Sequence, residues 1–280
     1  MQALGSGTKK RSRMLHWLET LDPRFAFMLF LAGFLATALC AMRIRRSDDD
    51  ARRFGALQGS ALALVGLILG FSFSAALARF EARRMLIVRE SNAIGTTMLR
   101  AEFLPPAAVQ PFRSLLSTYA RVRFQRYRAV ESASERALYD RRSEALQLRL
   151  WNLVAPIVGR NDATRAQLAL VRSLNATIDL AAEESAALRA RVPASVIALV
   201  AFSILVSGAL VGAAYSGRRQ LHWGVFLLAI FIAAIGATIV DLDRPSGGLI
   251  TLDLAPLARQ AASARASAEI PSAANRHDKS

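Results

Sequence analysis

The sequence predicts an all-α membrane protein with four transmembrane helices and a cytoplasmic helical bundle inserted between the second and third spans. Of its 280 residues, 53% are hydrophobic and 20% are charged. Four stretches contain no charged residue: 25–42, 54–78, 192–217 and 220–240. As a helix each is about 27 Å or longer, enough to cross a hydrocarbon core of about 30 Å. Such runs exclude an ordinary soluble globular enzyme.

These runs divide the chain into five segments that differ in polarity. The segments are a basic N-terminal leader (1–24), a transmembrane hairpin (25–78, with spans 25–42 and 54–78), a cytoplasmic helical domain (79–192), a second transmembrane hairpin (193–240, with spans 193–215 and 221–240) and a C-terminal tail (241–280). The tail is rich in Ala and Ser without a sustained period, which predicts that it is largely disordered after 258.

The first apolar run reads as a retained anchor, and the charges around the four runs predict their orientation. Arg43, Arg45 and Arg46 follow the first run where a signal peptide would have a small-residue cleavage site. Near the span ends, thirteen lysines and arginines lie on the side that holds both termini, against seven on the other side. The positive-inside tendency therefore predicts a multi-pass inner-membrane protein with cytoplasmic N- and C-termini.

The second span is predicted to continue beyond the membrane as one long helix. Apolar residues recur at heptad spacing through Ile87, Ile94 and Met98, and after the second span no glycine or proline occurs until Gly95. Pro105-Pro106 ends the helix, near Phe103, since proline removes a donor and disfavours helix in the preceding residue.

Three further helices are predicted in the insertion, each with one apolar face. The residues of these faces are Phe112, Leu115, Leu116, Tyr119 and Val122; then Leu146, Leu150, Trp151, Val154 and Ile157; and finally Val171, Leu174, Ile178, Ala181, Ser185, Leu188 and Val192. Ser132 is the expected N-cap of the second of these helices and Asn161 or Asp162 that of the third. The insertion is therefore predicted to be an α-helical bundle.

The sequence shows no motif for catalysis, for a cofactor or for a metal ion. It lacks GxSxG, a phosphate-binding glycine loop, HExxH and paired histidines at helical spacing. Cys40 is the single cysteine and is predicted to be a buried thiol within a span. The acids of the insertion lie among arginines, as solvated groups or ion-pair partners would. We therefore expect no enzyme.

A basic, aromatic segment at 119–128 has a composition that nucleic-acid binders use. Its apolar residues already form a packing face, and its arginines are predicted to lie mostly on the other side of the helix. A solvated or headgroup-facing surface explains them better, and we expect no nucleic-acid partner.

Small residues form a stripe along the second span, with two possible roles. Gly55, Gly59, Ala63, Gly66, Gly70 and Ser74 follow a 4-4-3-4-4 spacing. Glycine weakens a helix, so such a stripe favours close packing of a neighbouring helix. Alternatively, the helix lines a pore in which bulky residues form a constriction. The candidate pore or packing residues are Gly59, Ala63, Gly66, Gly70, Phe71, Phe73, Ser74, Leu77 and Phe80.

The spans lack charged residues, whereas coupled transporters place ionisable groups near mid-membrane. A passive pathway is compatible with their absence. Where the fourth span ends, Asp241, Asp243 and Arg244 form a charged cluster. It marks the membrane interface or forms structural ion pairs with Arg83 and Arg84.

Several motifs resemble a bacterial bestrophin-like family of membrane proteins of unknown function. They are the runs 66–73 (GLILGFSF), 78–84 (ARFEARR), 90–96 (ESNAIGT), 104–105 (LP) and 241–250 (DLDRPSGGLI). The resemblance covers residues 20–258. It implies four spans, a cytoplasmic helical insertion and distant kinship to bestrophin anion channels, which are pentamers with a pore lined by the second span.

Two functions are compatible with these observations. The first is a passive channel for chloride or other small anions, formed in the lipid bilayer by a homo-oligomer around the second span, a pentamer if the resemblance holds. The second is a non-conducting membrane-anchored scaffold or sensor whose cytoplasmic domain binds a partner.

Overall fold

The described part of the protein is helical and contains no strand. The computed structural model describes residues 22–43, 48–129, 133–158, 163–190, 192–215, 223–244 and 248–269. Its helices are α1 (Pro23–Met42), α2 (Asp48–Arg100), a 3-10 turn (Ala101–Phe103), α3 (Pro106–Arg128), α4 (Ala133–Val158), α5 (Arg165–Arg189), α6 (Ala194–Ala214), α7 (Trp223–Asp243) and α8 (Ala255–Glu269). The chain divides into two compact units, 1–80 with 191–250 and 81–190 with 251–280.

The first unit contains four helices that are long and apolar enough to cross a membrane, as the sequence predicts. Helix α1 packs against both α6 and α7. Phe34 and Ala38 of α1, Ile204 of α6 and Ala233 of α7 are fully buried between them. Asp22 caps the N-terminus of α1 by accepting a hydrogen bond from the Arg24 N–H at 2.8 Å.

Glycine allows α6 to approach the backbone of α1 closely. A Cβ atom built on Gly208 would lie 3.0 Å from the carbonyl carbon of Phe34, and one on Gly212 would lie 2.6 Å from that of Ala38. Both obstacles are backbone atoms, which cannot rotate away. The Gly208–Gly212 pair is therefore a helix-contact motif within one chain.

Replacing Gly212 with alanine should destabilise the first unit, because the added methyl group collides with the α1 backbone. We expect a loss of about 1–3 kcal/mol, typical of overpacking, measured as a lower thermal midpoint in detergent. The matched control is Gly224→Ala in α7, since a Cβ there meets nothing within 4 Å. Equal shifts in the two variants would contradict this account of α6.

The second unit is a helical bundle around a separate apolar core. Helix α2 runs uninterrupted to Arg100, and Leu104 is extended immediately before Pro105, which confirms the predicted long helix and its end. Ile94 of α2, Leu116 of α3, Leu150 of α4 and Leu174 of α5 are essentially inaccessible. The predicted apolar faces of α3, α4 and α5 thus meet in this core.

The N-caps of α4 and α5 were predicted from the sequence. Helix α5 starts later than the sequence predicts, because Thr164 is its N-cap: Thr164 Oγ1 accepts from the Gln167 N–H at 3.2 Å, and Gln167 Oε1 accepts from the Thr164 N–H at 3.0 Å. This reciprocal capping box satisfies two free donors, so Asn161 or Asp162 as the cap was wrong. The predicted N-cap Ser132 lies outside the described residues.

The prediction of a largely disordered tail after 258 was wrong as far as 269. Helix α8 packs against α3, and its Leu257 is completely buried. Ser91 Oγ donates to the Pro256 carbonyl at 2.9 Å, and the Asp253 carboxylate accepts from the Ala255 N–H at 2.9 Å. Alanine has the highest helix propensity, so an Ala-rich segment with one apolar anchor folds once it has a surface to pack on.

Cys40 also differs from its prediction. Its side chain lies at the surface of the chain instead of in the interior, because the buried positions of α1 are Phe34, Ala38 and Ala41 on another face. A helix presents only part of its circumference to its neighbours, so position within a span did not determine burial here.

Candidate pore helix and buried charge cluster

Within the first unit, only one narrow face of α2 is buried. Val65, Leu69, Ser72 and Ala76 are buried and recur at 4-3-4 spacing. Of the most apolar window of each candidate span, 22% is buried in α2 and 56% in α7. Helix α2 therefore presents most of its circumference outward in the single chain.

The glycines of the small-residue stripe lie beside this buried face and are open, and Ala63 and Ser74 border them on the outward side of α2. A Cβ atom built on Gly59, Gly66 or Gly70 meets nothing within 4 Å, and Ala63 and Ser74 are exposed. Inside one chain these glycines contact no neighbouring helix closely, in contrast to Gly208 and Gly212. The open surface at these glycines can therefore accept a helix of another molecule.

The bulky candidate residues of α2 do not share one face. At about 100° per residue, Phe73 and Phe80 lie at the edge of the buried face, whereas Leu77 falls on the small-residue stripe. Phe71 is 68% exposed and lies about 130° around the helix from the buried face. Sequence reasoning grouped these residues by size, although their helical positions separate them.

Leu67 is a residue of this outward face that the sequence-based selection missed. It lies one turn before Phe71 and is 53% exposed. Ala63, Leu67, Phe71 and Ser74 follow a 4-4-3 spacing, so they form one stripe opposite the buried face. The i, i+4 spacing between Leu67 and Phe71 is the sequence signal for its position, but leucine is too common in apolar spans for that spacing to stand out.

An apolar groove adjoins the stripe within the same unit. Its volume is about 550 Å³, and it is lined by Leu62, Val65, Gly66, Leu69, Gly70, Phe73, Ser207, Leu228, Phe231, Ile232 and Ile235. The Ser207 hydroxyl in this lining donates to the Ser203 carbonyl at 2.8 Å, so its polar group is hydrogen-bonded. Gly66 and Gly70 of α2 contribute to the volume of the groove because they have no side chains.

The candidate ion-pair residues are engaged as follows. Arg83 is buried and donates to the carbonyls of Ala187 (3.3 Å) and Ala190 (2.7 Å), and so satisfies carbonyl groups at the C-terminus of α5. Arg84 is exposed and pairs with Glu81 at 3.3 Å, a contact worth at most a few tenths of a kcal/mol.

The carboxylates of Asp241 and Asp243 at the end of α7 accept hydrogen bonds from backbone N–H groups of other segments. Asp241 is buried, and its two oxygens accept from the N–H groups of Leu249 (3.0 Å) and Ile250 (2.9 Å). A Cβ on Gly248 would lie 2.9 Å from Asp241 Cγ, so this turn requires glycine. Asp243 accepts from the Val192 N–H at 2.8 Å. These contacts give Asp241, Asp243 and Gly248 of the DLDRPSGGLI motif structural roles; 245–247 lie outside the described residues.

Arg244 continues this turn, and its own N–H donates to the Asp241 carbonyl at 3.1 Å. Pairing of Asp241, Asp243 and Arg244 with Arg83 and Arg84 stays a prediction.

In the second unit, a buried charge cluster links four helices. Arg123 of α3 is 1% exposed; its Nε donates to Glu90 Oε1 of α2, and its Nη2 donates to Glu90 Oε2 at 3.2 Å and to Glu184 Oε2 of α5 at 2.6 Å. Glu90 and Glu184 are equally inaccessible. Charges this deeply buried are tolerable only when they are paired and hydrogen-bonded.

Arg126 extends the cluster to α4. Its Nη1 donates to both oxygens of Glu184, at 2.8 and 3.0 Å, and its Nε and Nη2 face the Asp140 carboxylate. Glu184 thus bridges the two arginines. The charge cluster, defined as Glu90, Arg123, Arg126, Asp140 and Glu184, contains three carboxylates and two guanidinium groups.

Burial and charge within the cluster shift pKa values in consistent directions. Burial, reinforced by the Glu90 carboxylate, raises the pKa of Tyr127 well above its usual range; its hydroxyl donates to Glu90 at 3.4 Å. The pKa of Tyr119 is raised for the same reasons. Burial alone would lower the pKa of Arg123, but the neighbouring Glu90 and Glu184 carboxylates outweigh it and raise that pKa. Arg123 is therefore permanently charged.

The burial of Arg123 and Arg126 contradicts the prediction of a solvated basic surface at 119–128 for these two residues. Arg121 and Arg128 are exposed as predicted. The sequence alone did not distinguish the buried Arg123 and Arg126 from the exposed Arg121 and Arg128. A buried arginine is tolerated only when acidic residues from distant segments pair with it.

Replacing Glu184 with glutamine should destabilise the second unit strongly, because both arginines lose a bridging negative charge in a buried site. We expect a loss of about 3 kcal/mol or more in the free energy of unfolding, measured by denaturant titration. Glu183→Gln is the matched control: Glu183 is the adjacent, exposed residue, and its replacement should change stability by less than about 0.5 kcal/mol. Similar losses would show that burial of the charge is not what matters.

No group of three or more His, Cys, Asp or Glu side chains suited to a metal ion occurs within the ranges that the structure describes. His16, His222 and His277 lie outside those ranges.

Comparison with solved structures identifies the fold. A bacterial bestrophin homologue from Klebsiella pneumoniae superimposes with a TM-score of 0.58 at 16% identity, covering 86% of this chain and 96% of that chain. Two structures of point variants of such a homologue from this organism give TM-scores of 0.62 (13% identity, covering 87% and 98%) and 0.58 (16% identity, covering 88% and 98%). No protein-family model and no curated protein matches the chain.

The predicted distant resemblance to bestrophins is therefore confirmed at the level of the fold, over most of the chain. Together with the four apolar helices, it identifies a membrane protein.

Proposed function

We propose that this chain, which shares the fold of bacterial bestrophin homologues, forms a homo-oligomeric passive anion channel around α2 in the inner membrane. The observation that carries the proposal is the open face of α2. Gly59, Gly66 and Gly70 have no close neighbour within the chain, and an uncovered stripe of glycine in an apolar helix is suited to a second helix at close range. The adjoining outward stripe would then face the symmetry axis.

The outward stripe supplies the properties that a passive pathway needs. Ala63 and Ser74 are small, and Leu67 and Phe71 are apolar residues one turn apart. Rings of such side chains form a hydrophobic constriction that can gate by dewetting. The absence of ionisable side chains from the span favours passive conduction over coupled transport.

Charge favours anions as the permeating species. The chain carries a formal net charge of +15, and positively charged regions beside a narrow pathway raise the local concentration of chloride and other small anions. In this proposal the N- and C-termini and the helical bundle are cytoplasmic. No covalent chemistry is required, so the proposed activity is not enzymatic.

The direct test is chloride efflux from liposomes that contain the purified protein. The wild-type protein should release chloride faster than empty vesicles, and Phe71→Ala should accelerate release several-fold by widening the constriction. The matched control is Phe226→Ala in α7, an exposed phenylalanine outside the outward stripe, whose release should equal that of the wild type.

Two results would count against the proposal. One is no efflux above empty vesicles from an intact oligomer; the other is an equal effect of the two phenylalanine substitutions. A monomeric chain without efflux would favour the membrane-anchored scaffold or sensor.

A further inference from the structure

A second cavity opens at the surface of the helical bundle, next to the charge cluster; two of its lining residues, Glu144 and Ala182, are exposed. Its volume is about 230 Å³, and it is lined by Arg123, Asp140, Ser143, Glu144, Gln147, Ile178, Ala181, Ala182 and Ser185. Liquid water occupies about 30 Å³ per molecule, so this space admits a compound of several heavy atoms. Two alanines of α5 create the space, because larger side chains at those positions would fill it.

The two walls of this polar cavity differ in hydrogen-bonding character. Helix α4 contributes acceptors at 3-1-3 spacing: the carboxylates of Asp140 and Glu144, the Ser143 hydroxyl and the Gln147 amide. The Ser143 hydroxyl donates to the Tyr139 carbonyl at 2.9 Å, and Gln147 Nε2 donates to Tyr119 at 3.4 Å. Their oxygens thus retain acceptor capacity toward the cavity.

The opposite wall contributes donors. Ser185 Oγ accepts from Arg126 Nη2 at 3.3 Å and keeps its own proton to donate. Arg123 uses Nε and Nη2 on Glu90 and Glu184. Its Nη1 makes no hydrogen bond to the described residues, although the side chain is 1% exposed and lines the cavity. A guanidinium nitrogen in this state is available to a molecule that enters.

The charge balance restricts the kind of molecule. The charge cluster has three carboxylates against two guanidinium groups, and Glu144 adds another carboxylate to the lining. The site therefore disfavours a simple anion, since net negative charge surrounds it. A simple cation would leave Arg123 Nη1 without a partner. A compound with both charges satisfies both walls.

We propose that this polar cavity binds a small zwitterion of the amino-acid class. Its ammonium group contacts Asp140 and Glu144 of α4, and its carboxylate group contacts Arg123 and Ser185. The short side chain lies against Ala181, Ala182 and Ile178. Every lining residue belongs to the second unit, so the site does not depend on ion conduction.

The test is calorimetric titration of the full-length detergent-solubilised protein with L-alanine, propionate and ethylamine. Propionate lacks the ammonium group and ethylamine lacks the carboxylate group. L-alanine should bind, and the other two should bind at least about tenfold more weakly, because each leaves one wall unsatisfied. No binding of L-alanine, or equally tight binding of ethylamine or propionate, would overturn the proposal.

Two substitutions at exposed positions locate the binding site without disturbing the buried pairs. Glu144→Gln should weaken L-alanine binding about tenfold by removing one ammonium partner, and Ala182→Phe should abolish binding by filling the cavity. Glu183→Gln is the control for a change of charge, since Glu183 is exposed and does not line the cavity; its affinity should equal that of the wild type. Thermal midpoints confirm that each variant is folded. Wild-type affinity in both Glu144→Gln and Ala182→Phe would overturn the assignment.

Discussion

The pairing of Glu90 with Arg123 is the interaction on which the helical bundle depends. Both groups are almost completely buried, and removing either one would leave an uncompensated charge in the core. The pair joins α2 to α3, and Glu184 and Asp140 extend the contact to α5 and α4. Because charged hydrogen bonds demand a defined geometry, the cluster fixes the register of the four helices more tightly than an apolar core would.

Helix α2 contributes Glu90 to the charge cluster, whereas its apolar segment is mostly exposed in the single chain. Its buried face is limited to the stripe through Val65, Leu69, Ser72 and Ala76. The glycines of α6, in contrast, lie directly against α1. The same motif thus occurs in two settings: Gly208 and Gly212 form a close contact with α1, whereas Gly66 and Gly70 leave an open surface on α2.

Local sequence patterns predicted most of the helices. The features that they did not predict depend on contacts between segments distant in the sequence. Charge-free length identified the spans, and heptad spacing identified the buried Ile94 and Met98. The burial of Arg123 and Arg126 depends on acids from three other helices, which no local pattern reveals. Likewise, α8 is ordered by the surface on which Leu257 packs. For the candidate pore, residue size suggested Phe71 and Phe73 together, but only the buried face of α2 shows that they point in different directions.

The central claim is that the open face of α2 is covered by other copies of the chain. Mass measurement of the detergent-solubilised complex tests this most directly, because each chain contributes 30.4 kDa. The account predicts one dominant species at a fixed multiple of that mass, consistent with a closed ring, and its dissociation when Gly66 is replaced by leucine. A species of single-chain mass for the wild-type protein, under conditions in which it remains folded, would contradict the account.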